Sequence, residues 1–158
     1  MKINIVLVEP EIPQNTGNIV RTCSCTNSKL HLIKPLGFSL EEKYLKRAGL
    51  DYWDKLNLEM HENLEIFFEK YSAFKNNMFF VETRTPKKYT DINYTKYSEV
   101  FLLFGKETKG LPEELLQNNF DKCIQIPMVS GIRSLNLSNA VAIVVYEILR
   151  QVNFNNLT

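Results

Sequence analysis

Ile126-Pro127-Met128-Val129-Ser130-Gly131-Ile132-Arg133-Ser134-Leu135-Asn136-Leu137-Ser138-Asn139-Ala140 is the stretch on which the fold turns. A strand-like end meets Pro127, a polar loop follows, and Ser134, Asn136 and Ser138 then open a long apolar helix. Such a loop presents backbone N–H and C=O groups that can grip a small polar ligand, and it sets hydroxyl and amide side chains at a helix start. The helix is expected from Asn136 to about Val152. Leu137, Val141, Val144, Ile148 and Val152 share one face, and Ala140, Ala142, Ile143, Val145 and Leu149 widen it. A helix apolar over most of its circumference is buried on more than one side. In a chain this small, that implies a second subunit covering it.

Working back from that helix, strand patterns alternate with helix patterns. Ile3 to Val8 is a near-continuous apolar run, as in a buried parallel strand. Asn15 to about Thr26 reads as a helix, Leu30 to Lys34 as a strand, and Glu41 to Arg47 as a short helix. Leu50 to His61 reads as a turn with a strand near Leu56 to Met60. Glu62 to Tyr71 is a helix, Met78 to Thr83 and Val100 to Phe104 are strands, Pro112 to Asn118 is a helix, and Cys123 to Ile126 is the last strand. The alternation predicts an α/β fold with a mostly parallel sheet. Its 158 residues fit one domain, 1–158, with no repeat or linker.

Composition narrows the function. The apolar fraction of 44% suits a full core, and 19 Lys+Arg against 18 Asp+Glu confine any nucleic-acid footprint to a local patch. The N-terminal apolar run is too short for a signal peptide and meets Glu9 at once, and no run is long enough to cross a membrane. The cytoplasm is the expected location. Cys23 and Cys25 fall two apart on a helix and so point to different faces. With Cys123 they read as inert thiols, and no metal is expected. His31 and His61 have no matching ligand nearby in sequence and are taken as structural or surface residues. Glu9 and Glu11, flanking Pro10, and Glu113 with Glu114 are expected to be solvated.

Two further polar clusters sit where strands end: Pro13-Gln14-Asn15-Thr16-Gly17-Asn18-Ile19-Val20-Arg21 and Phe104-Gly105-Lys106-Glu107-Thr108-Lys109-Gly110-Leu111-Pro112. Ligands of parallel sheets bind at the C-terminal ends of strands, so three such loops suggest one composite site. Gly105 and Gly110 have P-loop spacing, but Leu111-Pro112 replaces the Lys-Ser/Thr pair, which rules that motif out. What remains is either a glycine turn that lets a ligand approach the backbone at Gly105, or a plain strand-to-helix turn. Asn15 or Thr16 could simply cap its helix. Alternatively, Asn18 and Arg21 share one helical face, and the arginine fork suits phosphate. No Ser-His-Asp arrangement is credible.

Together these clusters resemble the SPOUT class of RNA methyltransferases, and within it the small TrmL (YibK-like) enzymes. The motifs are Glu9 to Arg21, Leu103 to Pro112, and Ile126 to Met128 with Arg133 to Ala140. Arg47-Ala48-Gly49-Leu50-Asp51-Tyr52 is a further stretch typical of that subfamily. The resemblance covers nearly the whole chain. It implies helices on both faces of the sheet and a C-terminal trefoil knot, a homodimer, and S-adenosylmethionine as methyl donor with S-adenosylhomocysteine as product. The implied reaction is methylation of the ribose 2′-hydroxyl of the tRNA wobble nucleotide, cytidine or modified uridine, in leucine isoacceptors. The rivals are an rRNA enzyme of the same class and a non-catalytic RNA-binding module.

Carried over residue by residue, the resemblance implies cofactor contacts at Val81, Gly105, Ile126 and Ser134. It places Arg21, Ser134 and Asn136 at the reaction centre, with Glu107 as a further polar candidate. The guanidinium stays protonated, so Arg21 is expected to pair phosphate and stabilise a forming alkoxide rather than act as base. Arg47, Arg84, Lys87, Lys88 and Arg133 are the expected RNA-binding positives, with Lys43, Lys46, Lys106 and Lys109 nearby in the same loops. The chain departs from the pattern at Glu82, where small or hydroxyl residues are usual, and at Val129-Ser130-Gly131-Ile132, which replaces a more polar loop.

Overall fold

A computed structural model describes residues 1–39, 57–83, 85–155 and 157. The expected helix at Glu41 to Arg47, the stretch Arg47 to Tyr52, and Arg47 and Arg84 themselves lie outside the described residues. The chain runs β1 (Lys2–Val8), α1 (Pro13–Thr26), β2 (Lys29–Ile33), β3 (Leu58–His61), α2 (Leu64–Lys70), β4 (Met78–Val81), β5 (Glu99–Phe104), α3 (Glu113–Asn118), β6 (Cys123–Ile124) and α4 (Leu137–Gln151). The strands form a six-stranded sheet in the order β3-β2-β1-β5-β4-β6. Every pairing is parallel.

Alternate strand residues feed two apolar layers. On one face Ile3, Ile5 and Leu7 of β1 and Leu102 of β5 meet Ile19 and Cys23 of α1 and Val141, Val144 and Ile148 of α4. On the other, Val6, Val8, Phe101 and Leu103 meet Phe67 of α2, with Leu115 and Leu116 of α3 at the margin. Helices therefore cover both faces, as expected. Burial of Val141, Val144, Val145, Ile148 and Leu149 in α4 stabilises by roughly 1.5–3 kcal/mol per side chain.

The helix ends differ from the sequence reading. The N-cap of α1 is Ile12, with no side-chain cap, and Pro13 takes a first-turn position where it loses no hydrogen bond. Asn15 and Thr16 are buried instead of capping. The last strand is short: β6 ends at Ile124, and Gln125 continues only as an isolated bridge to Lys88. Asn136 is the N-cap of α4, and its side chain accepts a hydrogen bond from the Ser138 N–H at 2.9 Å.

β1 is the switch point. From it the chain builds outward through β2 to β3, then crosses to the other side, where β5 enters between β1 and β4 and β6 adds outside β4. The β1–α1 loop, the β5–α3 turn and the β6–α4 loop thus emerge at one end of the sheet, where crevices form in such folds.

Candidate active site

A cleft of about 1060 Å³ opens at that end. Ile12 and Asn15, Val81 to Thr83, Phe104 to Leu111, Ile126, Met128, and Arg133 to Leu137 all line it. The three polar clusters of the sequence do form one site.

The turn after β5 is closed tightly. Gly110 N–H donates to Lys106 O at 2.9 Å. A Cβ on Gly105 would stand 1.9 Å from the Gly110 carbonyl carbon and 2.1 Å from Leu111 N. Glycine is therefore required at 105 because the chain crosses itself there, before any ligand is considered. Gly110 has a φ of +70°, a left-handed conformation that favours glycine.

Carboxylates staple this turn to the β1–α1 loop. Glu107 accepts from Glu11 N at 2.8 Å, Ile12 N at 3.2 Å and Asn15 Nδ2 at 3.0 Å. A negative group thus stands at the uncapped start of α1, where free N–H groups and the helix dipole favour it. In return, Glu11 accepts from Thr108 N at 3.1 Å and from Thr108 Oγ1 at 2.8 Å. Glu9, in a left-handed conformation at φ 50°, pairs with the Lys106 ammonium at 2.5 Å, and that pairing raises the Lys106 pKa. Glu9 and Glu11 are therefore not the solvated pair expected from sequence. Their partners lie almost a hundred residues away, on a loop that only the β1–β5 pairing brings near.

The staple continues into the third loop. Asn136 Nδ2 donates to Asn15 Oδ1 at 2.9 Å, while Asn136 Oδ1 accepts from Ser138 N at 2.9 Å and Ser138 Oγ at 2.7 Å. The acceptor of Asn136 is thus used within the helix cap, and one amide N–H is left for the cleft. Glu107 fixes the orientation of Asn15, and Asn15 fixes Asn136. Ser134 lines the cleft and its hydroxyl makes no hydrogen bond among the described residues.

The remaining expected residues divide. Val81, Gly105, Ile126, Ser134, Asn136 and Arg133 all line the cleft. Arg21 does not: it is exposed on α1, two turns beyond Asn15, on one stripe with Gln14, Asn18 and Cys25. Lys88 is exposed, and exposed Lys87 donates to the Asp121 carbonyl. Cys23 is buried, and burial pushes its thiol up to about 12, which suits an inert role.

The two histidines meet, which the sequence did not reveal. Parallel pairing sets His31 opposite Glu59 and Ile33 opposite His61. His31 Nδ1 and His61 Nε2 are 3.1 Å apart, and His31 Nε2 lies 3.1 Å from Asn4 Oδ1. Asn4 Nδ2 is spent on Val100 O and Glu99, so His31 Nε2 donates and its Nδ1 accepts from His61. Burial pushes His31 down to about 3, with Lys29 adding to the effect, and His61 is lowered chiefly by burial as well. Ligand atoms of His31, Glu59 and His61 lie within 4.8 Å of one another. Glu59, however, already binds the Lys29 and Lys70 ammoniums at 2.7 and 2.8 Å. Although its burial acts the other way, those hydrogen bonds and one from Tyr71 hold the Glu59 carboxyl at about 2. Two lysine cations on the one anionic donor oppose a dication there.

A parallel α/β sheet with a cleft at its switch point, floored by a glycine turn and walled by the two loops stapled to it, defines a class of proteins that bind a small polar ligand over the strand ends. The chain matches the SpoU rRNA Methylase family model over residues 2–146; it belongs to that family. A relative in Bacillus subtilis (strain 168) is 53% identical over 156 residues, 98% of this chain and 96% of its own. A tRNA (cytidine(34)-2'-O)-methyltransferase of Methylovorus glucosotrophus (strain SIP3-4) is 47% identical over 152 residues, 96% of each chain. Among solved structures, one that concerns 2-OH methylation of C/U34 on tRNA superposes with a TM-score of 0.86 at 40% identity, covering 98% of both chains. An AdoMet-bound rRNA methyltransferase from Sinorhizobium meliloti shares the fold at a TM-score of 0.80 and 24% identity, over 96% of this chain and 57% of that one.

Proposed function

We propose that this protein is a tRNA 2′-O-methyltransferase that transfers a methyl group from S-adenosylmethionine to the ribose of nucleotide 34. The observation that carries the reading is the Glu107–Asn15–Asn136 chain, which holds three loops around one cleft in a chain nearly half identical to a named tRNA (cytidine(34)-2'-O)-methyltransferase.

The cleft fits the cofactor by its donor set. Backbone at Val81, Gly105 and Ile126 offers edges for a base, Leu111, Leu135 and Leu137 offer apolar walls, and Ser134 has a free hydroxyl. Bound there, S-adenosylmethionine supplies a methyl group already activated on a sulfonium, so no metal is needed to activate it. The protein contributes positioning, which in such displacements is the larger part of the rate gain. Asn136 has one free N–H to hold the ribose oxygen, and Ser134 can accept a hydrogen bond from that hydroxyl, which orients it for attack. Arg21 stands away from the cleft, so it acts on RNA laid across α1, or on a second subunit's site. In a second subunit's site it pairs phosphate and stabilises the forming alkoxide, whereas against RNA on its own α1 it pairs phosphate alone.

The remainder of the reading rests on the resemblance. It comprises one methyltransferase domain spanning residues 1–158, a C-terminal trefoil knot, a homodimer, leucine isoacceptors as substrates, and a cytoplasmic location. Arg47, Arg84, Lys87, Lys88 and Arg133 form the RNA-binding patch. Among the described residues no helix is long and apolar enough to cross a membrane. Two features support the dimer: Val129 and Ile132 are 74% and 67% exposed in the loop before α4, and Tyr146 is 48% exposed on α4.

Labelled S-adenosylmethionine and unmodified tRNA transcripts test the reaction. The expected product is a single 2′-O-methyl group at position 34, mapped by its resistance to alkaline cleavage. Transfer to rRNA fragments instead, or to a base, would overturn the reading.

A further inference from the structure

β4 ends at Val81, beside Phe104 at the end of β5. The next residue, Glu82, extends the ladder by one hydrogen bond, its N–H donating to Ile124 O at 2.9 Å. Glu82 also lines the cleft, and its carboxylate is held in place. Oε1 accepts from Thr83 N at 2.6 Å and from Thr83 Oγ1 at 3.0 Å. Oε2 lies so close over Gly110 that a Cβ there would sit 2.7 Å from it. Among the described residues Oε2 has no hydrogen-bond partner, and no cation pairs with Glu82. Lys106 of the turn is committed to Glu9.

We propose that Glu82 binds the vicinal ribose hydroxyls of the methyl donor, an inference that rests on the cofactor reading above. A carboxylate has about four acceptor sites. Thr83 takes two, and a ribose diol has two O–H donors for the two that remain. The placement agrees. Neighbouring strand ends stand about 4.8 Å apart, so a nucleoside against the glycine turn of β5 lays its sugar over the end of β4. Dinucleotide-binding sheets use the same pairing, a glycine turn beside a strand that ends in an acid for the ribose. Here Gly110 leaves the space that the carboxylate fills, and Thr83 aims it. Glu82 is thus a cofactor-binding residue.

Calorimetry on the intact protein tests the assignment with four ligands: S-adenosylmethionine, S-adenosylhomocysteine, and the 2′-deoxy and 3′-deoxy forms of the latter. Glu82→Ala should weaken S-adenosylmethionine and S-adenosylhomocysteine alike, by about 10- to 100-fold, as expected for hydrogen bonds to a charged group. The deoxy ligands should bind the wild type about 10-fold more weakly than their parent, and bind Glu82→Ala nearly as well as the parent does. A loss confined to S-adenosylmethionine would assign the carboxylate to the sulfonium and overturn the proposal. Unchanged binding of both parents by Glu82→Ala would overturn it too, leaving the cofactor reading intact. A wild type that binds neither parent would sink both. Thr83→Val removes the hydroxyl donor to Oε1 but leaves the backbone one and the charge, so it should cost less than Glu82→Ala while keeping the preference for an intact diol.

Discussion

Acid should loosen the β2–β3 edge through His31. In the folded chain both ring nitrogens are committed: Nε2 donates to Asn4 and Nδ1 accepts from His61. A second proton on the ring would set donor against donor. The groups around it are His61, Glu59, Lys29, Lys70 and Tyr71, of which only Glu59 favours the charged ring. Unfolded, the ring titrates near 6.5; folded, burial holds it at about 3. Between those values the unfolded chain binds more protons, so stability is complete above pH 6.5 and falls as the pH drops toward 3. The loss attributable to His31 is about 2 kcal/mol at pH 5 and about 3 kcal/mol at pH 4. Below about pH 4.5, Glu59 adds a loss of the same sign, because its folded value is depressed. The assay is urea unfolding at pH 7.5, 5 and 4 for the wild type and His31→Gln. The glutamine keeps a donor toward Asn4 but does not titrate. Its stability at pH 7.5 should be lower, and its decline to pH 4 should be shallower than the wild type's by about 3 kcal/mol. Parallel declines in the two proteins would refute the reasoning, as would a folded-state NMR titration of His31 near 6.5.

Three further outcomes are expected. Arg21→Ala should lower single-turnover methyl transfer by about 100-fold or more while leaving S-adenosylmethionine affinity within a few-fold, because Arg21 does not line the cleft; Arg21→Lys should rescue little, and a variant with near-normal transfer would remove Arg21 from the reaction. Gly105→Val should unfold or displace the turn itself, since its Cβ would meet the Gly110–Leu111 backbone at 1.9 Å. The check is a fall in melting temperature without any cofactor present, and unchanged melting would show that the turn can move aside. Sedimentation should give a homodimer at micromolar concentration, and a stable folded monomer would rule out a second copy over α4.

The sequence alone determined the layers and the end of the sheet that matters. Apolar runs such as Ile3 to Val8 and Val100 to Phe104 have the composition of strands buried on both faces, and the wide apolar surface of Asn136 to Val152 marks a core helix. The three polar clusters follow strands, so their convergence was predictable from chemistry and order alone. Their wiring was not. That Glu107 anchors the start of α1, that Glu9 and Glu11 grip the glycine turn, and that Asn15 steers Asn136 all depend on β5 inserting beside β1, a pairing of residues about a hundred positions apart. The meeting of His31 with His61 likewise depends on the β2–β3 register, which no local pattern encodes. Gly105 carried an ambiguous signal because a glycine required by a crossing chain looks the same in sequence as one required by a ligand. Local propensity and periodicity are properties of neighbours along the chain. Hydrogen bonds between loops belong to neighbours in space, and only the strand order decided which loops those would be.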